Sequence, residues 1–261
     1  MAEPRPVALI TGAARRMGAA IARRLHADGY DLALHYRDSG ADMGALVAEL
    51  EAARADSVLA LRADLVQFDR LPELVANTIG RFGRLDAVVN NASQFFPTAL
   101  GTTTPAQWDA LFATNTRAPF FLAQAAAPHL RAARGAIVNL VDIHAERPLR
   151  DHAVYGMSKA ALAYLTRALA LELAPDVRVN AVAPGAILWP EPGQHATDEH
   201  GTGEHGDTKD QAAKTAMLAR TPLGRIGTPG EIAEAVRWLL RDATYTTGQV
   251  IRVDGGRMLE G

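Results

Sequence analysis

Tyr155 and Lys159 stand four residues apart, the spacing that puts two side chains on one helix face, a turn apart. The following run, 160–173, is rich in helix formers with apolar periodicity, so a helix is expected there. Just before lies an apolar run, 137–141, that reads as a buried strand and ends on Asp142. A phenol beside a fixed ammonium, with a carboxyl group near, is a proton-delivery device. Its natural partner reaction is a hydride transfer. The plainer reading makes Asp142 a loop or helix cap and leaves Tyr155 and Lys159 on the surface.

A second chemistry sits at the start of the chain. A short apolar run, 7–11, turns through Gly12-Ala13-Ala14-Arg15-Arg16-Met17-Gly18 into helix-favouring residues 19–27. Such a turn points backbone N–H groups and a helix N-terminus at a pyrophosphate. Arg16 occupies the place where a third glycine is usual, so by itself the turn is equally well a structural connection. The end of the second strand, His35-Tyr36-Arg37-Asp38-Ser39, bears on cofactor choice. Arg37 and the Ser39 hydroxyl suit a ribose 2′-phosphate, with Arg16 adding charge, so NADPH is expected over NADH. Asp38 is the counter-sign, one residue late for a 2′-hydroxyl acceptor, and Arg37–Asp38 as a solvated surface pair is the bland alternative. Asp64 and Leu65 follow the third strand, and Asp64 is placed to accept from an adenine amino group. Asn90, Asn91, Ala92 and Ser93 follow the fourth. Polar groups at four successive strand ends are coherent with a ligand crevice there.

These residues need a scaffold in which strands and helices alternate. Strands are expected at 7–11, 32–36, 58–62, 87–90, 137–141, 177–182 and 250–253. Helices are expected at 19–27, 41–54, 69–82, 105–111, 114–132, from Tyr155 on to 173, and 228–240. This alternation predicts an α/β fold: a doubly wound parallel sheet of about seven strands, Rossmann-type, with helices on both faces. No repeat or linker interrupts it, so residues 1–261 read as one domain with a substrate-covering loop around 186–220. A net charge of −2 with no basic patch argues against nucleic-acid binding. The absence of cysteine excludes disulfides and thiolate metal sites. The N-terminal residues lack a signal-peptide core and no run is long enough to span a membrane, so a cytoplasmic location is expected.

Thr11-Gly12 with Gly18, Asn90-Asn91-Ala92, Asn115, Tyr155-x-x-x-Lys159, Pro184-Gly185 and Asp254-Gly255-Gly256 together resemble the short-chain dehydrogenase/reductase family over nearly the whole chain. The resemblance implies a nicotinamide-dependent reductase whose Lys lowers the phenol pKa of the Tyr. It also implies a homotetramer packed through the helices beginning near Thr114 and Ala153. It extends the cofactor set to Asn115, Tyr155, Lys159, Pro184, Gly185 and Ile187.

Two departures narrow the likeness: Arg16 in the glycine turn, and Asp142 where the family usually has Ser. With Leu-His-Tyr-Arg, Asn-Asn-Ala-Ser-Gln-Phe-Phe-Pro-Thr and Asn-Leu-Val-Asp, they resemble the pteridine reductases, to which the dihydromonapterin reductases are close. That likeness implies catalysis by Asp142, Tyr155 and Lys159, and Phe95 stacking a pterin against nicotinamide. Arg16 would reach pterin and cofactor phosphates, and Ser93 would contact substrate or cofactor. Dihydropterins, dihydrofolate or oxidised pterins are the implied substrates. The chemistry agrees with the likeness. A ring C=N bond needs a proton at nitrogen as hydride reaches carbon, and an acid near Tyr155 can feed or polarise it. Phe95 offers a flat apolar wall, although with Phe96 adjacent one of the pair is expected in the core.

Leu188 and Trp189 are expected to line the substrate pocket, and the segment after them to act as a lid. His195, His200 and His205 with Asp198, Glu199, Glu204 and Asp207 suit a solvated loop better than a metal site, so no metal is expected. In related reductases the tail reaches a neighbouring subunit, which would give Arg257 a role in the next site. Two other readings remain: reduction of a carbonyl, with Asp142 as a hydrogen-bonding group in place of Ser, and a non-catalytic NADPH sensor. A sensor has no need of the Tyr155–Lys159 pair.

Overall fold

Strand residues alternate between two apolar layers, and that alternation builds the molecule. In β1 (Val7–Ile10), Val7 and Leu9 face one layer while Ala8 and Ile10 face the other. A strand buried on both sides needs helices on both sides, which parallel crossovers supply. The computed structural model describes residues 5–187 and 215–259. Within them β1, β2 (Asp31–Tyr36), β3 (Val58–Arg62), β4 (Ala87–Asn90), β5 (Ala136–Leu140), β6 (Arg178–Pro184) and β7 (Val250–Val253) form one seven-stranded sheet in the order β3-β2-β1-β4-β5-β6-β7. Every pairing is parallel. The expected α/β doubly wound sheet is what the chain forms.

On one face lie α1 (Arg16–Ala27), α2 (Gly40–Ala53) and the helix Pro229–Arg241, here α7. Ile21, Leu25, Met43, Leu46, Val236 and Leu239 bury this layer. On the other lie α3 (Leu71–Phe82), α5 (Ala118–Ala133) and α6 (Ala153–Leu173), packed through residues such as Leu74, Leu122, Leu130, Leu162 and Leu169. The Thr228-Pro229-Gly230-Glu231 run closes a capping box: Thr228 Oγ1 accepts from Glu231 N while the Glu231 carboxylate accepts from Thr228 N. Sequence order reverses at the β1–β4 boundary, the switch point where such sheets open a ligand crevice at their carboxyl ends.

Two differences from the expected boundaries bear on the site. First, α1 starts at Arg16, a turn earlier than the helix-favouring run; Arg16 itself is left-handed (φ +53°) and closes the glycine turn at the point where the helix begins. Second, the expected break near residue 113 is absent. Instead α4 (Pro105–Phe112) runs through a π turn, Ala113–Arg117, directly into α5. The widened turn carries Asn115, and such turns concentrate where a side chain must be aimed.

Candidate active site

β5 delivers Asp142 and α6 delivers Tyr155 and Lys159 to one place. The Tyr155 hydroxyl donates to Asp142 Oδ2 at 2.8 Å. The other carboxylate oxygen, Oδ1, accepts from the backbone N–H of His144 at 2.8 Å and caps the short turn Ile143–Ala145. Turn cap and partner of the phenol are therefore one residue, an oxygen for each. Lys159 Nζ donates to the Leu140 carbonyl at 2.8 Å, and lies 5.8 Å from the Tyr155 ring centroid.

Burial governs the protonation of this set. Burial first, then the charge and hydrogen bond of Asp142, push the Tyr155 phenol well above its usual value. The lowered phenol pKa implied by the family likeness is thus not found: the nearest charge to the phenol is a carboxylate, so Tyr155 holds its proton. Burial brings Lys159 down to about 8, against an opposing pull from Asp142.

A second network fixes the wall of the site. Asn115 Oδ1 accepts from Gln94 N at 2.8 Å and from Ser93 Oγ at 3.2 Å. Its Nδ2 donates to the Gln94 carbonyl and to Ser158 Oγ, each at 3.0 Å. Ser158 Oγ in turn donates to the Tyr155 carbonyl at 2.7 Å. The loop after β4 is thereby bound to the turn of α6 that carries the phenol. Phe95 and Phe96 divide as expected: Phe96 packs against the buried cluster of Leu111, Val154 and Tyr155, whereas Phe95 is 52% exposed. The Phe95 ring meets Tyr155 edge-on at 4.7 Å.

At the glycine turn, Thr11 Oγ1 accepts from Asn91 N and Ala92 N, each at 3.0 Å. Asn91 Nδ2 donates back to the Thr11 and Gly12 carbonyls, each at 2.9 Å. Gly12 (φ +63°) has no room for a side chain, since a Cβ there would sit 2.9 Å from Ala92 Cα. The first turn of α1 holds no acid, and Arg15 and Arg16 are both exposed at its start. This cradle, closely approached by backbone and positive at its mouth, suits a pyrophosphate.

His35 has a different task from the one its position suggests. Its Nδ1 accepts from Gly12 N at 3.2 Å, so Nε2 carries the proton and donates to the Ala63 carbonyl at 3.2 Å. The ring is buried, and burial lowers its pKa, which keeps this neutral form. It props the turn against the end of β3. Tyr36 and Ser39 are half-buried beside it. Arg37 and Asp38 are exposed and pair at 2.5 Å, while Arg62 donates to the Arg37 carbonyl. Asp64 Oδ1 accepts from Val66 N, Leu65 is buried, and Met17, in the first turn of α1, is half-buried against the core. Pro184 ends β6, Gly185 packs so closely on Asp254 that a Cβ would lie 2.7 Å from its Cα, and Ile187 is buried. Leu188, Trp189 and the histidine-rich loop lie outside the described residues. Arg257 is buried against its own chain, where its carbonyl accepts from Arg147.

Sequence reasoning did not single out Asn139, Thr98 or His152. Asn139, in β5, accepts from Asn90 Nδ2 at 2.8 Å and donates to Thr166 Oγ1 at 2.9 Å. Its signal was visible, an amide inside an apolar strand, which demands a buried partner. Among the described residues no group of His, Asp and Glu could hold a metal, and no helix is long and apolar enough to cross a membrane.

The chain is similar to known proteins over nearly its whole length. A family model described as enoyl-(acyl carrier protein) reductase matches residues 12–257. Pteridine reductase 1 of Leishmania tarentolae is 35% identical, over 97% of this chain and 96% of the relative. A putative ketoacyl reductase of the granaticin polyketide synthase of Streptomyces violaceoruber is 38% identical, over 97% and 96%. A 3-oxoacyl-(acyl-carrier-protein) reductase of Staphylococcus aureus is 35% identical, over 95% and 96%.

Proposed function

The chain belongs to the short-chain dehydrogenase/reductase family of oxidoreductases, and we propose that it is an NADPH-dependent reductase of dihydropterins. The observation that carries this reading is the bond from the Tyr155 hydroxyl to the Asp142 carboxylate. A carbonyl oxygen becomes negative as hydride arrives, and a carboxylate beside it opposes that charge. A ring C=N bond instead takes a proton at nitrogen, and the amino and N–H groups of a pterin are donors that a carboxylate accepts. The exposed ring of Phe95 offers a flat substrate an apolar face, worth roughly 0.5–1.5 kcal/mol beyond burial.

When bound, the nicotinamide supplies the hydride. Tyr155 delivers the proton from its hydroxyl to the ring nitrogen, so C=N becomes CH–NH. Lys159, charged below about pH 8, stabilises the phenolate until it regains a proton from water. Asp142 orients the phenol and receives substrate donors. Arg16 and Ser93 border the substrate, and Arg37 with Ser39 holds the 2′-phosphate. A homotetramer in the cytoplasm completes the proposal; Tyr164 and Leu171 on α6, 72% and 83% exposed, support association through that helix.

Reduction of a carbonyl is the second reading, favoured by the 38% identity to a putative ketoacyl reductase. NADPH oxidation measured with dihydrobiopterin, dihydromonapterin, dihydrofolate and a panel of ketones separates the two. Turnover of dihydropterins is expected; turnover of ketones alone overturns the proposal. NADH serving as well as NADPH, or unchanged NADPH affinity in Arg37→Ala, removes the cofactor preference. Tight NADPH binding with no turnover points to a sensor.

A further inference from the structure

Phe95 sits on a loop, half in solvent, yet a wall for a flat substrate must hold its orientation. The structure supplies a backing plate. The ring of His152 is buried (1% exposed) and stacks on Phe95, centroids 4.6 Å apart and planes 17° from parallel. The Arg150 carbonyl, an acceptor only, lies 2.8 Å from His152 Nδ1, so that nitrogen carries the proton and the bond fixes the ring plane. Asp151, in the left-handed conformation (φ +58°), turns the chain so that His152 faces inward.

The same segment is tied to the Phe95 loop through backbone. Thr98 N donates to the Asp151 carbonyl, and Thr98 Oγ1 accepts from Val154 N at 3.3 Å. Thr98 and His152 form an isolated parallel bridge. Phe95 is therefore clamped on one side by His152, touched at an edge by Tyr155, and anchored three residues on by Thr98. Rings stacked this way resist rotation, because either ring leaving the pair loses contact area and exposes apolar surface.

We propose that His152 is a positioning residue for substrate recognition: its ring holds Phe95 in the orientation that accepts a planar heteroaromatic substrate. The inference rests on the dihydropterin reading above and deepens it, since an aliphatic substrate draws little from an oriented aromatic face. His152 acts through Phe95, so the effect falls on substrate affinity and not on the proton device.

Two substitutions separate the ring from the hydrogen bond. His152→Phe keeps a ring and loses the donor to Arg150; His152→Asn keeps a donor and loses the ring. With saturating NADPH and varied dihydrobiopterin, His152→Asn is expected to raise KM about three- to tenfold, the equivalent of one aromatic stack. Its kcat should hold within about twofold, and His152→Phe should restore KM. In a Phe95→Leu background, His152→Asn should change KM no further, as required of a residue that acts through Phe95. Unchanged KM in His152→Asn, an equal rise in His152→Phe, or additive effects in the double substitution overturn the inference while leaving the function intact. Wild-type protein that takes no dihydropterin overturns both. Should His152→Asn fail to fold, His152→Gln carries the same comparison.

Discussion

Asp142 and Asp38 are both aspartates just past the end of a strand, and the chain treats them in opposite ways. Asp142 is half-buried, with one oxygen on the Tyr155 hydroxyl and the other on a backbone N–H. The Asp38 side chain is 68% exposed and pairs with its neighbour Arg37. A carboxylate with both oxygens engaged is held in place before any ligand arrives, and its removal leaves donors without partners. An exposed pair is screened by water and contributes on the order of 0–1 kcal/mol, so a dianionic phosphate can readily compete for Arg37. On the proposed reading, proton chemistry is built into the packed interior and cofactor choice is left to the solvated rim. Substitutions in the interior should act on turnover, and those at the rim on affinity.

The largest effect should come from the interior donor itself. Tyr155→Phe removes the proposed proton source while keeping the ring that meets Phe95, and kcat is expected to fall by about 10²–10⁴-fold with NADPH affinity unchanged. Steady-state kinetics beside a direct NADPH titration checks both halves. Loss of affinity of similar size would erase the division between interior and rim. Asp142→Ser is the next test. Dihydropterin turnover should fall by roughly 10²-fold, and any ketone activity should be retained or rise. Intact pterin reduction in Asp142→Ser removes the assignment of specificity to this carboxylate.

A pH profile sharpens the comparison further. Burial brings Lys159 down to about 8 from an ordinary 10.5, so its charge is lost as pH rises through about 8. With dihydropterin, kcat/KM is expected to be flat below that point and to fall up to about tenfold per unit above it. Asp142 raises the Lys159 pKa, so the break in Asp142→Ser should move to lower pH. The linked stability change has the opposite sign. The folded state disfavours the charged amine, so the contribution of Lys159 to stability rises between about pH 8 and its ordinary value. A break that ignores Asp142 would show that the two groups do not sense each other.

How much of this was legible in the sequence follows the same division. The sheet could be read because strands buried on two faces leave continuous apolar runs, as at 7–10 and 136–138. Tyr155 and Lys159 could be paired because helical spacing fixes neighbours without knowledge of the fold. His152 could not be paired with Phe95, since residues 57 apart in the chain are brought together by tertiary contacts such as the Thr98 bridge. Nor could the sequence reveal that His35 spends both ring nitrogens on backbone. The π turn at Ala113–Arg117 has the sequence pattern of a break between helices, because an inserted residue disrupts the apolar period without ending the helix.

Arg16 tests the comparison from the side of strain. Its backbone is left-handed, at φ +53°, a region that costs a non-glycine residue roughly 1–2 kcal/mol. Glycine would adopt it freely, yet the chain carries a guanidinium there, at the mouth of the phosphate cradle. Arg16→Gly should therefore stabilise the fold by about 1 kcal/mol, raising Tm by roughly 2–4 °C, while weakening NADPH or dihydropterin binding. The reverse substitution nearby cannot do the same, because Gly12→Ala adds a Cβ 2.9 Å from Ala92 Cα on a left-handed backbone. It should lower both stability and affinity. Calorimetry on the two variants, each with an NADPH titration, gives the contrast: stability and affinity move oppositely at Arg16 and together at Gly12. A parallel loss at Arg16 would mean that the arginine holds the turn, and that the rim, like the interior, is built before its ligand arrives.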